Sequence, residues 1–373
     1  TLKQGAQYRT FVEDAEWDIV VLDEAQNAAK RGESPSQRHR LADKLSRSCD
    51  SMIMLSATPH DGSPESFASL MNMLDPTAIA DPSDYGKEDI EGLFIRRFKD
   101  DIKHQVDSAF LERDVDICEA DSTGAEDEVY DTLASLELEE INEEGSGGML
   151  FQTTLEKALF SSPMACLETV ENRASRLEAE EGSPAAGRDL EKLRSLAEKL
   201  QAVGPRQFSK YQRLLSLLET DIDWDGSDPE DRLVIFSERL ETLRFLEEHL
   251  PDQLGLPEGA VEKLHGGLSD VDQQRVVRNF GEKEASVRLL LASDVAAEGI
   301  NLHHLCHRLI HFDIPWSLMI FQQRNGRIDR YGQSEPPQIR YMVTKPQSDD
   351  IRGDLRILEV LIEKEEQAEA NID

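Results

Sequence analysis

Residues Asp18 to Glu24 read DIVVLDE, with four successive apolar residues, Ile19 to Leu22, running straight into two carboxylates. An uninterrupted apolar run of this length suits a strand buried on both faces, as in a parallel sheet covered by helices. A second such run, SMIMLSATP, spans Ser51 to Pro59, and the helix-like segment RHRLADKLSRS lies between the two. Strand, helix, strand in that order points to an α/β arrangement with parallel strands.

The pattern changes downstream. From about Ala125 to Ala202 the chain is rich in Glu, Leu and Ala, and Leu133, Leu136, Leu138 and Ile141 recur at helical spacing. EEGSGG and EGSPAAG interrupt it, so we expect helices joined by exposed turns. From Pro205 the α/β pattern returns: RLVIFS, VRLLLASD, HRLIHFDIP and SEPPQIRYMVTK read as strands, and ETLRFLEEHL as an amphipathic helix. Leu355, Leu358 and Ile362 mark a last helix.

Charge narrows the setting. The 373 residues carry 75 Asp and Glu against 41 Lys and Arg, a net of -34, and the acids are spread along the whole chain. A diffuse acidic, Lys-poor surface predicts a halophilic protein, because molar salt screens self-repulsion. Four scattered cysteines (Cys49, Cys118, Cys166, Cys306) form no CxxC pair, which predicts a reducing, cytoplasmic setting. No apolar run approaches the length of a membrane span.

An acid at the tip of a buried strand can hold Mg²⁺ through water, and a neighbouring acid can orient or deprotonate an attacking water. Asp23 and Glu24 have the types and the placement, although charged strand ends are common without any chemistry. Ser293 to Leu302 read SDVAAEGINL, and Gln322 to Gln333 read QQRNGRIDRYGQ. The second string sets Arg324, Arg327 and Arg330 three apart, which predicts one helical face carrying all three. Arginines beside a transferring phosphate neutralise its developing charge, an effect worth about 10³ to 10⁵ in rate. Pairing with the many acids would explain any one arginine, but not Gly326, Gly332 and the flanking glutamines.

In order, the chain carries DEAQ (Asp23 to Gln26), SATPH (Ser56 to His60), IRRFKDDI (Ile95 to Ile102), LVIFSERLETLRFL (Leu233 to Leu246), LHGGLSD (Leu264 to Asp270), SDVAAEGINL and QRNGRIDRYGQ. From about Trp17 to Lys345 this resembles the superfamily 2 helicase-like ATPases, specifically the Swi/Snf-like branch that includes a bacterial RNA-polymerase-recycling ATPase. The resemblance implies an α/β fold of P-loop NTPase type, with ATP between two RecA-like lobes and double-stranded DNA across both. Residues 1–80 would be the C-terminal part of an incomplete first lobe, 81–204 a linker and helical insert, 205–345 a complete second lobe and 346–373 a C-terminal helix.

Carried over residue by residue, the resemblance makes Asp23 the Mg²⁺ acid and Glu24 the residue that activates water. Gln26 stands where the family often has His, and falls in the nucleotide-binding set with Gly299, Asn301 and Gln323. Ser56 and Thr58 match the motif that couples hydrolysis to lobe movement. Arg96, Arg97 and Lys99 resemble a basic element near the inter-lobe connection. Arg327 and Arg330 would be the arginine fingers, and Trp316 lies where the branch often has an aromatic near the DNA track. The implied reaction is ATP hydrolysis coupled to movement on duplex DNA. RNA polymerase, or a defence or repair complex, is a further expected partner.

One departure stands out. The phosphate loop G-x-x-x-x-G-K-[ST] should precede DEAQ, and no such string occurs; Gly86-Lys87 is followed by Glu88. We therefore expect a chain cut within its first lobe and inactive by itself. A non-catalytic nucleic-acid-binding subunit, or one half of a split ATPase, is the alternative. His303, His304, Cys306, His307 and His311 crowd together, but metal ligation by His303 and His307 would need a helix where the resemblance implies loop and strand.

Overall fold

The computed structural model describes residues 12, 15–32, 34–56, 63–95, 111–139, 147–179, 184–294, 300–347, 351 and 353–370. They fall in two compact units, Thr1–Ile102 and Lys103–Asp373.

In the first unit, β1 (Trp17–Leu22) pairs in parallel with β2 (Cys49–Met54), and Val21 lies opposite Ile53. Helix α1 (Gln37–Arg47) connects them, and Ser36 caps it by accepting from the His39 N–H at 3.1 Å. Helix α2 (Pro64–Leu74) starts with Pro64 after the cap Ser63, where a missing N–H costs nothing. Leu22 and Met54 face the core of Ala42, Phe67, Leu70 and Met71. The opposite face is open: Ile19, Val21, Ile53 and Leu55 are 60, 57, 48 and 48% exposed. The expectation of strands covered on both faces is met on one face only.

The second unit holds a parallel sheet in the order β3-β8-β7-β4-β6-β5. The strands are β3 (Asp114–Asp121), β4 (Arg232–Phe236), β5 (Val261–Leu264), β6 (Leu289–Ala292), β7 (Cys306–His311) and β8 (Gln338–Lys345). Every residue of β4 and β6 is buried. Alternation sends Leu233, Ile235, Leu289 and Leu291 to one face, and Val234, Phe236, Leu290 and Ala292 to the other. The strands read from RLVIFS, VRLLLASD and HRLIHFDIP therefore form where those apolar runs place them, at Arg232–Phe236, Leu289–Ala292 and Cys306–His311.

Strand β3 belongs to the segment read as linker and insert, yet it forms an edge of this sheet beside β8. Its sequence DVDICEAD buries only Cys118 and Ala120, as an edge strand allows. After β3 come α3 (Gly124–Ala134), α4 (Gly147–Ser161), α5 (Pro163–Ala179), α6 (Pro184–Ala202) and α7 (Ser209–Ser216). These helices cover the face lined by Leu233 and Ile235. Helices α8 (Leu240–Leu254), α9 (Asp270–Gly281), α10 (Leu318–Asn325) and α11 (Leu355–Ala370) complete the second unit's described α-helices. Val276, Phe321 and Leu358 of the last three pack on the Val234 face.

Polar side chains fasten this assembly. Glu126 of α3 accepts from Ser209 N and Oγ, both at 3.1 Å, and so caps α7 from another element. The fully buried guanidinium of Arg232 donates to the carbonyls of Asn279, Phe280 and Glu282, where α9 ends. Lys210 of α7, also fully buried, donates to Phe160 O at 2.6 Å and to Asp354 at 2.9 Å. Asp354 in turn accepts the Thr344 N–H at 2.9 Å, tying α4, α7, β8 and the start of α11 together. Removing one partner leaves the other charge buried and unpaired, so Asp354→Ala should cost about 3–5 kcal/mol of unfolding free energy. Urea denaturation in molar KCl measures it, and a loss of under ~1 kcal/mol would mean that Lys210 reaches water in the folded state.

Candidate functional site

The turn after β1 carries Asp23 and Glu24. Asp23 is exposed, and its Oδ1 accepts the Glu24 N–H at 2.9 Å. Glu24 adopts φ 52°, ψ 47°, a left-handed conformation rare outside glycine. Ala25 donates to Leu55 O at 2.9 Å and Leu55 to Leu22 O at 2.9 Å, so DEAQ and the segment leading to SATPH are pinned together by their backbones. The side chains continue the link. Gln26 is 2% exposed; its Nε2 donates to Glu24 Oε2 at 2.5 Å, and its Oε1 accepts from Ser56 Oγ at 2.5 Å. One carboxamide thus joins the Glu24 carboxylate to a hydroxyl 30 residues beyond Gln26 itself. Left-handed backbone at a non-glycine residue concentrates at working sites. Thr58 lies outside the described residues, as do Arg96, Arg97 and Lys99.

In the second unit the three arginines part company. Helix α10 ends at Asn325, so Arg327 and Arg330 sit in the turns beyond it, and the expected common helical face does not exist. Tertiary bonds end the helix. Asn325 Oδ1 meets His311 Nε2 at 2.8 Å, its Nδ2 donates to Tyr341 OH at 3.0 Å, and Leu302 N donates to Arg327 O at 3.3 Å. Arg327, 7% exposed, donates to Ile300 O at 3.0 Å. Arg330 is exposed and donates to Asn301 Oδ1. Gln323 is half-buried on α10, and Gly299 lies outside the described residues. The structure therefore brings together Asn301, Arg327 and Arg330, and separately Glu24, Gln26 and Ser56 beside Asp23.

Arg324 points inward and is 2% exposed. It holds Asp294 in a two-point grip at 2.5 and 2.9 Å, and reaches Asp313 O at 2.8 Å and Asp313 Oδ1 at 3.2 Å. Burial works against its charge, but Asp294 and then Asp313 outweigh that and raise its pKa. Burial pushes Asp313 up, and Arg324 with the bonds from Ser161, Ser237 and the Glu238 N–H brings it below the usual carboxylate range. Asp294 and Asp313 escaped the sequence reading. Both follow strand-like runs, in LLLASD and LIHFD, the same signal that singled out Asp23.

The crowded histidines have separate surroundings. The His303 and His304 rings lie tilted with centres 4.2 Å apart, His307 faces Asp231, and His311 is sealed beside Arg324. Among the described residues no three His, Cys, Asp or Glu side chains are grouped to hold a metal ion. Trp224 is buried, whereas Trp316 is 38% exposed with Lys157 Nζ 5.8 Å from its ring centre. Lys157, Glu238, Arg239, Ile314 and Trp316 line a small crevice beyond the ends of β4 and β7. From β4 the chain leaves toward β5, and from β7 toward β8, on opposite sides. Ligands of open α/β sheets bind at such a switch point.

Burial, and next the charge of Arg324, push the His311 imidazole down to about 3. Its folded pKa lies below the unfolded value of about 6.5, so the unfolded chain binds the extra proton as pH falls. The stability that neutral His311 contributes is complete above about pH 6.5 and is lost toward pH 3, by about 1.4 kcal/mol per unit. His311→Gln should remove this part. The stability gap between parent and variant should shrink as pH drops from 7 to 5 in denaturant titrations, and a constant gap would refute the assignment.

Residues 209–332 match the helicase conserved C-terminal domain. Over 347 residues the chain is 24% identical to the RNA polymerase-associated protein RapA of Vibrio cholerae serotype O1 (strain M66-2), covering 86% of this chain and 34% of the relative. RapA of Stutzerimonas stutzeri (strain A1501) is 25% identical over 364 residues, covering 93% and 36%. The chain thus spans about a third of the length of these relatives. The solved helicase domain of Pyrococcus furiosus Hef superposes with a TM-score of 0.47 at 14% identity, over 94% of this chain and 77% of that one. The matched segment runs from α7 through the arginine turns, and its parallel sheet has the architecture expected of a second RecA-like lobe. Residues 209–332 thus carry a helicase conserved C-terminal domain, and over most of its length the chain is similar to the RapA proteins, in line with its motif resemblance to the Swi/Snf-like branch of the superfamily 2 helicase-like ATPases.

Proposed function

We propose that this chain is the part of an ATP-driven translocase of duplex DNA that carries the water-activating and finger residues. The link from Glu24 through Gln26 to Ser56 carries the reading, because it ties a strand-tip carboxylate to the motif that senses hydrolysis. In this reading Glu24 would orient and deprotonate the attacking water. Arg330 and Arg327 would then neutralise charge on the γ-phosphate, with Gln26, Gly299, Asn301 and Gln323 around the nucleotide. Asp23 is exposed with only its Oδ1 bonded to Glu24, a hard-oxygen donor suited to Mg²⁺ that keeps most of its ligands as water and phosphate. Mg²⁺ there would supply charge neutralisation of the phosphates. The Lys157 and Trp316 crevice, with a cation over an aromatic face, suits a passing DNA strand.

The name of the similar RapA proteins makes RNA polymerase the first partner to test; a defence or repair complex is the next. The acidic surface fits a salt-adapted, cytoplasmic setting. Among the described residues no helix is long and apolar enough to cross a membrane. The open face of Ile19, Val21, Ile53 and Leu55 favours a working form in which further α/β segments bearing a phosphate loop cover it. Those segments could stand on the same polypeptide or, as in a split ATPase, on another. A non-catalytic binding subunit has no use for the Glu24 link or the arginine turn.

Steady-state ATPase assays in molar KCl test this. The chain alone should show no turnover above background, and robust turnover would remove the claim of an incomplete site. In a form completed with the phosphate-loop segment, Glu24→Gln should lower kcat by about 10² to 10⁴ with nucleotide binding retained. Hydrolysis that survives the substitution would exclude Glu24 as the water-activating residue.

A further inference from the structure

The corner between α4 and α5 is buried against the end of the sheet, and its hydroxyls are ordered in one direction. Ser161 Oγ donates to Asp313 Oδ2 at 2.6 Å. Its single proton is thereby committed, so its 2.7 Å contact with Thr242 Oγ1 has Thr242 as donor. Thr242 has then used its own proton, so Ser162 donates to Thr242 at 2.7 Å. Ser162 accepts the Ala165 N–H at 3.1 Å, which caps α5. Ser161, Ser162 and Thr242 are at most 1% exposed. A chain of hydroxyls thus runs from the cap of α5 into the Asp313 carboxylate.

Asp313 passes the connection on. Ser237 Oγ donates to it at 2.6 Å and the Glu238 N–H at 3.1 Å, and Arg324 bridges it to Asp294. Asp294 begins the stretch that leads to Ile300, Asn301 and Leu302. These three residues receive Arg327, receive Arg330 and bond the backbone of Arg327, respectively. Arg327 N also donates to Arg324 O at 3.0 Å. Arg324 therefore meets both acids through its guanidinium and the arginine turn through its own backbone carbonyl.

We infer that Asp313 is a positioning residue that sets the Arg327 and Arg330 turn in register with the α4–α5 corner, making this helical pair a control arm for the arginine segment. As a control of hydrolysis this rests on the function proposed above; as a coupling within the second unit it stands without it. A partner that grips α4 or α5 and strains the corner would withdraw Ser161 from Asp313 and loosen the turn.

Hydrogen exchange of the whole chain, without nucleotide, tests the coupling. Ser161→Ala removes the hydroxyl, and Leu155→Ala, or Leu155→Val should the alanine variant not fold, opens a cavity in α4 away from the hydroxyl chain. Ser161→Ala should speed exchange in residues 300–303 and 326–333 about tenfold, as the loss of one charge-assisted bond predicts, with residues 261–281 unchanged. Thr242→Val should act in the same direction and less. The Leu155 variant should speed exchange within α4 to α6 and leave the turn alone. An unchanged turn in Ser161→Ala, or an equal response in the Leu155 variant, would overturn the inference. Because no ATP is present, failure of the proposed activity leaves this result untouched, and the reverse holds too.

Discussion

The guanidinium of Arg324, held away from water between Asp294 and Asp313, is the interaction on which the second unit's working end depends. A lone buried cation is costly, and two carboxylates with a carbonyl offset that cost only when the geometry is close. Here the grip on Asp294 uses two parallel N–H groups, the arrangement for which guanidinium is shaped and ammonium is not. The consequence is positional. Strand ends β6 and β7 and helix α10 share one charged centre, so none of the three can shift by itself without exposing a charge, and the arginine turn is bonded to α10 through Arg324 O.

The acids at the strand tips explain why the fold could be read from sequence and part of the site could not. Central strands announce themselves, because RLVIF and LLLA must be apolar on both faces. Edge strands do not. VEKL in β5 and DVDICEAD in β3 mix charge with short apolar stretches, and their pairing is decided by neighbours distant in sequence. The spacing of Arg324, Arg327 and Arg330 misled for a similar reason. Periodicity describes a continuing helix, whereas Asn325 is drawn off by His311 and Tyr341, contacts that no local pattern contains. Asp23, Glu24 and Ser56 were legible as residue types, but the bonds through Gln26 that unite them were not.

The first unit shows the opposite balance. Its two described strands are correct in place and polarity, yet among the described residues nothing covers the Ile19 and Val21 side, and two parallel strands have little stability without cover. The second unit buries both faces of its sheet and locks them with Lys210 and Asp354. Surface acidity is spread over both units and bears on solvent conditions more than on the fold.

The carboxamide of Gln26 has two unlike ends. Its amino end meets the anionic Glu24 and its oxygen meets the hydroxyl of Ser56, so only one of its two flat orientations satisfies both neighbours. Turned over, it would set oxygen against carboxylate. An imidazole in its place would gain a proton near neutrality and change what it offers to each side; an amide cannot. The amide itself does not titrate, so the sense of the junction between the acid and the serine is set by its two neighbours.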